Sequence, residues 1–166
     1  MYLYIDYDKC RGCKTCVIVC SYRWNKVFSE TLSAICVIKN EKKGKNFPIV
    51  CQQCSKPLCV DACLSGALKK DKQTGIVLHF QDKCVGCKMC VISCPFGGIG
   101  YVAEVGVARK CDLCSSFDVQ PAVAQCEKMC PYKAIKVITE DKITSEIKKN
   151  VEKFLQQFGT YRSIVR

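Results

Sequence analysis

Sixteen of the seventeen cysteines in this 166-residue chain fall into four groups of four, and no other feature limits its fold so strongly. The groups are Cys10, Cys13, Cys16, Cys20; then Cys51, Cys54, Cys59, Cys63; then Cys84, Cys87, Cys90, Cys94; then Cys111, Cys114, Cys126, Cys130. The first and third read C-x-x-C-x-x-C-x-x-x-C, the spacing by which thiolates wrap a [4Fe-4S] cubane. The second and fourth are expanded, with four and eleven residues between their second and third cysteines. In each group three cysteines can hold one cluster, while the fourth usually ligates another. Sixteen thiolates at four per cluster give four clusters, which implies an electron-transfer role.

Other uses of cysteine fit less well. A disulfide framework suits a secreted chain, but Met1-Tyr-Leu-Tyr-Ile-Asp-Tyr7 has neither a basic stretch nor an apolar one of signal type. Zinc sites join two C-x-x-C pairs, which gives no reason for three cysteines at three-residue intervals and a fourth four residues on. The radical SAM string C-x-x-x-C-x-x-C is absent from the sequence. A length of 166 residues predicts one or two domains, in which clusters replace part of the apolar core. No apolar run reaches the eighteen residues of a membrane span, so a reducing cytoplasm is the expected compartment.

The formal charge of +11 suggests nucleic acid until the ligands are counted as thiolates. Sixteen thiolates and four oxidised cores bring the charge to about +3, and reduction of all four clusters brings it to about −1. Lys9, Arg11, Lys14, Lys83, Lys88, Arg109 and Lys110 lie beside or within the groups, where they can offset cluster charge. A zinc-rich scaffold or nucleic-acid binder is the alternative from another class.

The cysteine groups are followed by similar segments: Leu64-Ser-Gly-Ala-Leu-Lys, Pro95-Phe-Gly-Gly-Ile-Gly-Tyr-Val and Pro131-Tyr-Lys-Ala-Ile-Lys-Val-Ile. Proline after the last cysteine ends a short helix and turns the chain away. Ala134 to Ile138 reads as a strand, Leu3, Ile5 and Tyr7 alternate as a matching one, and Ala67 to Phe80 reads as a hairpin turning near Lys72 to Gly75. The predicted class is α+β.

Four strings carry a family resemblance: Asp8-Lys-Cys-Arg-Gly-Cys-Lys-Thr-Cys, Cys51-Gln-Gln-Cys-Ser-Lys-Pro-Leu-Cys, Lys83-Cys-Val-Gly-Cys-Lys-Met-Cys and Arg109-Lys-Cys-Asp-Leu-Cys. Over residues 1 to 140 the chain resembles the four-cluster, ferredoxin-like electron-transfer subunits of the dimethyl-sulfoxide-reductase iron-sulfur type. It is most similar to the small members partnering carbon monoxide dehydrogenase, tungsten aldehyde oxidoreductase, formate dehydrogenase and hydrogenase. Phe28-Ser-Glu-Thr-Leu-Ser leading to Cys36-Val-Ile-Lys resembles the carbon-monoxide and aldehyde branch. Leu64, where proline often stands, and the extra Cys36 depart from the pattern.

The resemblance implies two ferredoxin-like modules, one inserted in the other. Residues 1–50 and 100–140 would form the outer module, with a loop at 21–48, and residues 51–99 the inner one. It also implies crossed ligation. Cys10, Cys13, Cys16 and Cys130 would hold cluster 1, and Cys20, Cys111, Cys114 and Cys126 cluster 2. Cys51, Cys54, Cys59 and Cys94 would hold cluster 3, and Cys63, Cys84, Cys87 and Cys90 cluster 4. The implied function is a non-catalytic subunit relaying single electrons between a large catalytic oxidoreductase subunit and ferredoxin or a flavin subunit. A free-standing polyferredoxin shuttle is the alternative.

Some residues fall outside this pattern. Cys36 reads as a small buried hydrophobe and His79 as structural. Phe96 and Tyr132 are expected to shield clusters. The aromatic segment from Ser21 to Pro48, with Trp24 and Phe28, is expected either to dock a partner or to cover clusters. In residues 141–166, Ile143, Ile147, Val151, Phe154, Leu155 and Phe158 recur at helical spacing. They predict an amphipathic docking helix, capped by Asp141 and ending near Gly159, that could also pair two copies of the chain.

Overall fold

The computed structural model describes residues 1–115, 124–139 and 141–146. In chain order they form β1 (Tyr2–Ile5), α1 (Thr15–Asn25), β2 (Ile35–Asn40), β3 (Lys45–Val50), α2 (Leu58–Asp61), β4 (Leu68–Lys70), β5 (Val77–His79), α3 (Met89–Ile92), β6 (Ile99–Val102), β7 (Val107–Lys110), α4 (Gln125–Lys128) and β8 (Ile135–Ile138). The strands pair antiparallel in twos, as β1–β8, β2–β3, β4–β5 and β6–β7. This is a small mixed helix-and-strand fold.

The alternation around Leu3 and Ile5 buries both side chains, and Leu3 stands opposite Val137 while Ile5 stands opposite Ile135. The two ends of the cysteine-bearing region are thereby clamped together. The hairpin expected between Ala67 and Phe80 is β4–β5, with Leu68 opposite His79. Its turn is closed by the Asp71 carboxylate, which accepts from the backbone N–H groups of Gln73 and Thr74 and from the Thr74 hydroxyl. Those bonds, the Thr74 amide first, hold the Asp71 carboxyl below the ordinary carboxylate range.

The segment from Ser21 to Pro48 is more regular than a loop. No proline follows Cys20, so α1 runs on to Asn25 and ends where Lys26, in the left-handed conformation, donates its N–H to the Tyr22 carbonyl. The hairpin β2–β3 follows, built from Ile35, Val37, Ile38, Ile49 and Val50, residues suited to a pleated surface. Pro48 sits within β3 opposite Val37, which a two-stranded sheet tolerates because each strand has a free edge.

Two apolar cores result. One gathers Leu3, Ile5, Val17, Ile35, Val50, Leu113 and Ile135, with Ile76 reaching in from the β4–β5 hairpin. The other gathers Leu68, Val77, Ile99 and Ala108 around Cys59 and Cys90, so it extends past residue 99 to β7. Helix α1 packs on α4, and α2 packs on α3. Gly98 lets the chain entering β6 pass against the second cysteine group: a Cβ there would lie 2.7 Å from the Cα of Cys51, closer than any side chain permits.

Candidate metal centre

The four cysteine groups share a backbone device. The residue before the second cysteine adopts positive φ in every group: Gly12 at 65°, Gln53 at 49°, Gly86 at 68° and Leu113 at 54°. Glycine takes this conformation freely, whereas Gln53 and Leu113 are held in it by nearly complete burial. The turn aims backbone N–H groups at sulfur. Gln53 donates to Cys51 Sγ and Leu113 to Cys111 Sγ, each at 3.4 Å. In the first and third groups Lys14 and Lys88 are also left-handed and start the helices that carry Cys16 and Cys90.

The third and fourth cysteines of every group are four residues apart, a rise of about 6 Å along a helical turn. One turn is enough to place the two sulfurs at different sites. Cys10, Cys13, Cys16 and Cys130 line one cavity. Cys20, Cys111, Cys114 and Cys126 line a second. The Cys59 thiol lies within electrostatic reach of Cys51, Cys54 and Cys94, and the Cys90 thiol within reach of Cys84, Cys63 and Cys87. Each set takes three sulfurs from one group and one from another. Among the described residues no three His, Cys, Asp or Glu side chains close tightly enough for a single metal ion. In the first and second sets the sulfurs line a cavity instead.

The electrostatics suit a cationic core. Burial pushes the Cys16 thiol up to about 12 and the Cys59 thiol up to about 11. It also raises Cys111 and Cys126 well above the ordinary thiol value. Such thiols lose their protons only to a compensating positive charge, and an all-sulfur donor set is one that iron-sulfur cores accept. Cys63 differs. Burial raises it, but the Ser65 hydroxyl and the amides of Leu68, Ala67 and Gly66 outweigh burial and bring it below the ordinary thiol value.

The sets also have an order. Cys126 is within electrostatic reach of Cys16, which puts the first and second sets side by side. Cys111 is within reach of Cys51, which puts the third beside the second. The packing of α2 on α3, with Cys63 and Cys94 just beyond their ends, puts the fourth beside the third.

The seven basic residues near the groups separate into two kinds. Lys9 pairs with Asp6, and Lys14 with Glu30. Arg11 is exposed, and Lys83 and Lys88 lie over the rings of Phe80 and Tyr101. Only Arg109 and Lys110 are buried. The Arg109 guanidinium lies 4.7 Å from the Trp24 ring centroid, with Arg23 at 4.4 Å from the same ring. Arg23 in turn forms a buried ion pair of 2.7 Å with Asp112.

Trp24 lines the second cavity, whereas Phe28 is 70% exposed and stacks on Tyr22 with ring centroids 5.0 Å apart. Tyr132 lines the first cavity, but Phe96 is more than half exposed. Cys36, expected to be buried, is exposed on β2 and belongs to none of the four sets. Its burial was inferred from residue type, and the β2–β3 hairpin turns this position outward. His79 is half-buried, and desolvation, with Arg109 and Lys110 nearby, lowers its pKa. Residues 141–146 are helical, and Ile143 lines a groove of about 300 Å³ with Tyr2, Tyr4 and Ile138. Ile147, Val151, Phe154 and Phe158 lie outside the described residues.

Sequence reasoning missed the left-handed position shared by the four groups and the role of Gln53. Gly12 and Gly86 were the available signal; Gln53 and Leu113 offered none.

A family described as a 4Fe-4S dicluster domain matches residues 42–140, and a 4Fe-4S binding domain matches residues 3–22. The electron transport protein HydN of Escherichia coli (strain K12) is 34% identical over 166 aligned residues, covering 86% of this chain and 90% of HydN. Protein NrfC of the same organism is 35% identical over 167, covering 95% of this chain and 71% of NrfC. The beta subunit of the NADH-dependent phenylglyoxylate dehydrogenase of Aromatoleum evansii is 35% identical over 144, covering 86% of this chain. The chain spans only 31% of that subunit. No helix among the described residues is long and apolar enough to cross a membrane.

Proposed function

The chain belongs to the 4Fe-4S dicluster domain family and is an iron-sulfur electron-transfer protein, and from that premise we propose that it carries four [4Fe-4S] clusters as the non-catalytic relay subunit of an oxidoreductase. The observation that carries this reading is the gathering of sixteen cysteines into four neighbouring sets, each with sulfurs from two groups. Bound clusters would supply one-electron redox chemistry at low potential. The chain's own part is to exclude water, direct amides at sulfur and hold the four sites in a row.

Cluster 1 would be held by Cys10, Cys13, Cys16 and Cys130, and cluster 2 by Cys20, Cys111, Cys114 and Cys126. Cluster 3 would be held by Cys51, Cys54, Cys59 and Cys94, and cluster 4 by Cys63, Cys84, Cys87 and Cys90. An electron entering at one end of this row leaves at the other. The four-cluster dimethyl-sulfoxide-reductase type is the subfamily that this count favours. Its partner would be a large catalytic subunit of aldehyde oxidoreductase, carbon monoxide dehydrogenase, formate dehydrogenase or hydrogenase type, with ferredoxin or a flavin subunit at the other end.

Surface chemistry favours a subunit over a free shuttle. Phe28 and Tyr22, stacked on each other, and also Leu64, Val85 and Ile92, leave large apolar side chains in water, which a partner would cover. Trp24 lines the second cavity, a place that favours cluster cover over docking. Phe28 and the tail residues Ile147, Val151, Phe154 and Phe158 are the docking candidates. Truncation after Thr139 tests this in the native host under anaerobic conditions. The shortened chain should keep about sixteen iron and lose a large subunit that co-purifies with the full chain. A full chain that purifies alone with all its iron supports the shuttle instead.

A further inference from the structure

Lys110 is 1% exposed, and neither ligation nor packing explains it. An ammonium buried this deeply is costly unless negative charge lies nearby. Its Nζ nevertheless donates only to neutral acceptors: the Val77 carbonyl at 2.7 Å, the Cys111 carbonyl at 2.8 Å and Gln53 Oε1 at 3.4 Å. None of the ion pairs among the described residues includes it. Its charge reaches Cys54 and Cys59 of the third set, which would be thiolates once a cluster is bound.

Gln53 fixes this position. Its Nε2 donates to the Cys111 carbonyl at 2.8 Å, and its Oε1 accepts from the Val77 N–H at 2.9 Å. Its own N–H points at Cys51 Sγ. Gln53 and Lys110 thus tie the third set to Cys111 of the second, across the junction between the two halves. Alternation along β7 explains why two adjacent cations serve different sites. Successive strand residues point to opposite faces, so Arg109 goes toward Cys20 and Trp24 while Lys110 goes toward Cys54 and Cys59.

We propose that Lys110 is a fixed counter-charge at the junction between the second and third sites, raising the potential of the cluster held by Cys51, Cys54, Cys59 and Cys94 so that electrons crossing between the halves settle there. The inference rests on the four-cluster reading. When a one-electron donor reduces that site, one negative charge arrives beside the ammonium. The three hydrogen bonds of Lys110 stay in place, and no covalent bond forms or breaks.

The test is a redox titration of the holo-protein followed by electron paramagnetic resonance, comparing wild type with Lys110→Met. One of four midpoints should fall by at least about 59 mV, a tenfold change in the ratio of reduced to oxidised sites for one electron, and the other three should move less. Iron content should be unchanged. Four unmoved midpoints, or an equal fall in all four, would overturn the proposal. If Lys110→Met loses iron, Gln53→Glu decides the matter. A carboxylate beside the ammonium must lower one midpoint in the same way, and no shift there rejects the counter-charge. Lys69→Met, exposed on β4, should move nothing, and a matching fall there would also reject it. A wild-type protein that never takes up about sixteen iron defeats the four-cluster reading instead, so the two failures are distinct.

Discussion

Burial pushes Cys16 up to about 12 and drives Cys111 and Cys126 well above the ordinary thiol value, whereas Cys63 is brought below it by Ser65 and three backbone amides. In the proposed two-module arrangement the first three belong to the outer half, built from cysteine groups one and four, and Cys63 to the inner half, built from groups two and three. The same division runs through the scaffold. The outer half has the eleven-residue α1, a β2–β3 hairpin laid over it and the buried Arg23–Asp112 pair. The inner half has only helices of four residues, and both halves leave large apolar side chains exposed. In the four-cluster reading the outer pair of sites is the drier one, although burial also pushes the inner Cys59 thiol up to about 11. Low dielectric disfavours added negative charge, so the dry pair should be harder to reduce.

Removing a ligand from each half tests the comparison most severely. Cys126→Ser and Cys90→Ser should each cost about four iron of sixteen, or leave a damaged cluster. Each loss should spread within its own core, the outer for Cys126→Ser and the inner for Cys90→Ser, and Cys90→Ser should leave the outer half intact. Iron analysis with limited proteolysis distinguishes the outcomes, and spreading across both halves in both variants would erase the distinction.

Arg23→Met comes next. It takes from Asp112 a cation held at 2.7 Å inside the outer half, a change of the kind that costs about 3 to 5 kcal/mol. Denaturant unfolding should show that loss with the inner pair of clusters retained. An unaltered midpoint would mean that the pair adds little to the outer scaffold.

The smallest effect is expected at Cys36. The thiol is exposed on β2 and stands outside all four sets, so Cys36→Ser should leave iron content and unfolding midpoint unchanged. Loss of about four iron would place it among the ligands and break the assignment.

Much of this was legible in the sequence because cluster ligation writes itself as spacing. The four groups, the β1 and β8 strands and the β4–β5 hairpin all follow from local pattern. The β2–β3 hairpin was harder to see because Pro48 stands within its second strand, where a proline argues against a strand. The continuation of α1 to Asn25 depended on the absence of a proline after Cys20. The exposure of Cys36 depended on which face of that hairpin packs on the core. Least legible was the contrast between Arg109 and Lys110. They are adjacent basic residues in the sequence, and only the strand that sends them to opposite sides gives them separate neighbours.

The central claim is that two unlike halves each carry two clusters, and timed iron release tests it directly. The holo-protein, reconstituted without oxygen, should contain about sixteen iron and sixteen acid-labile sulfide. On exposure to a chelator it should lose about eight iron from the wetter inner half first and about eight from the outer half more slowly. A total near eight, a single phase, or zinc in place of iron would contradict the account.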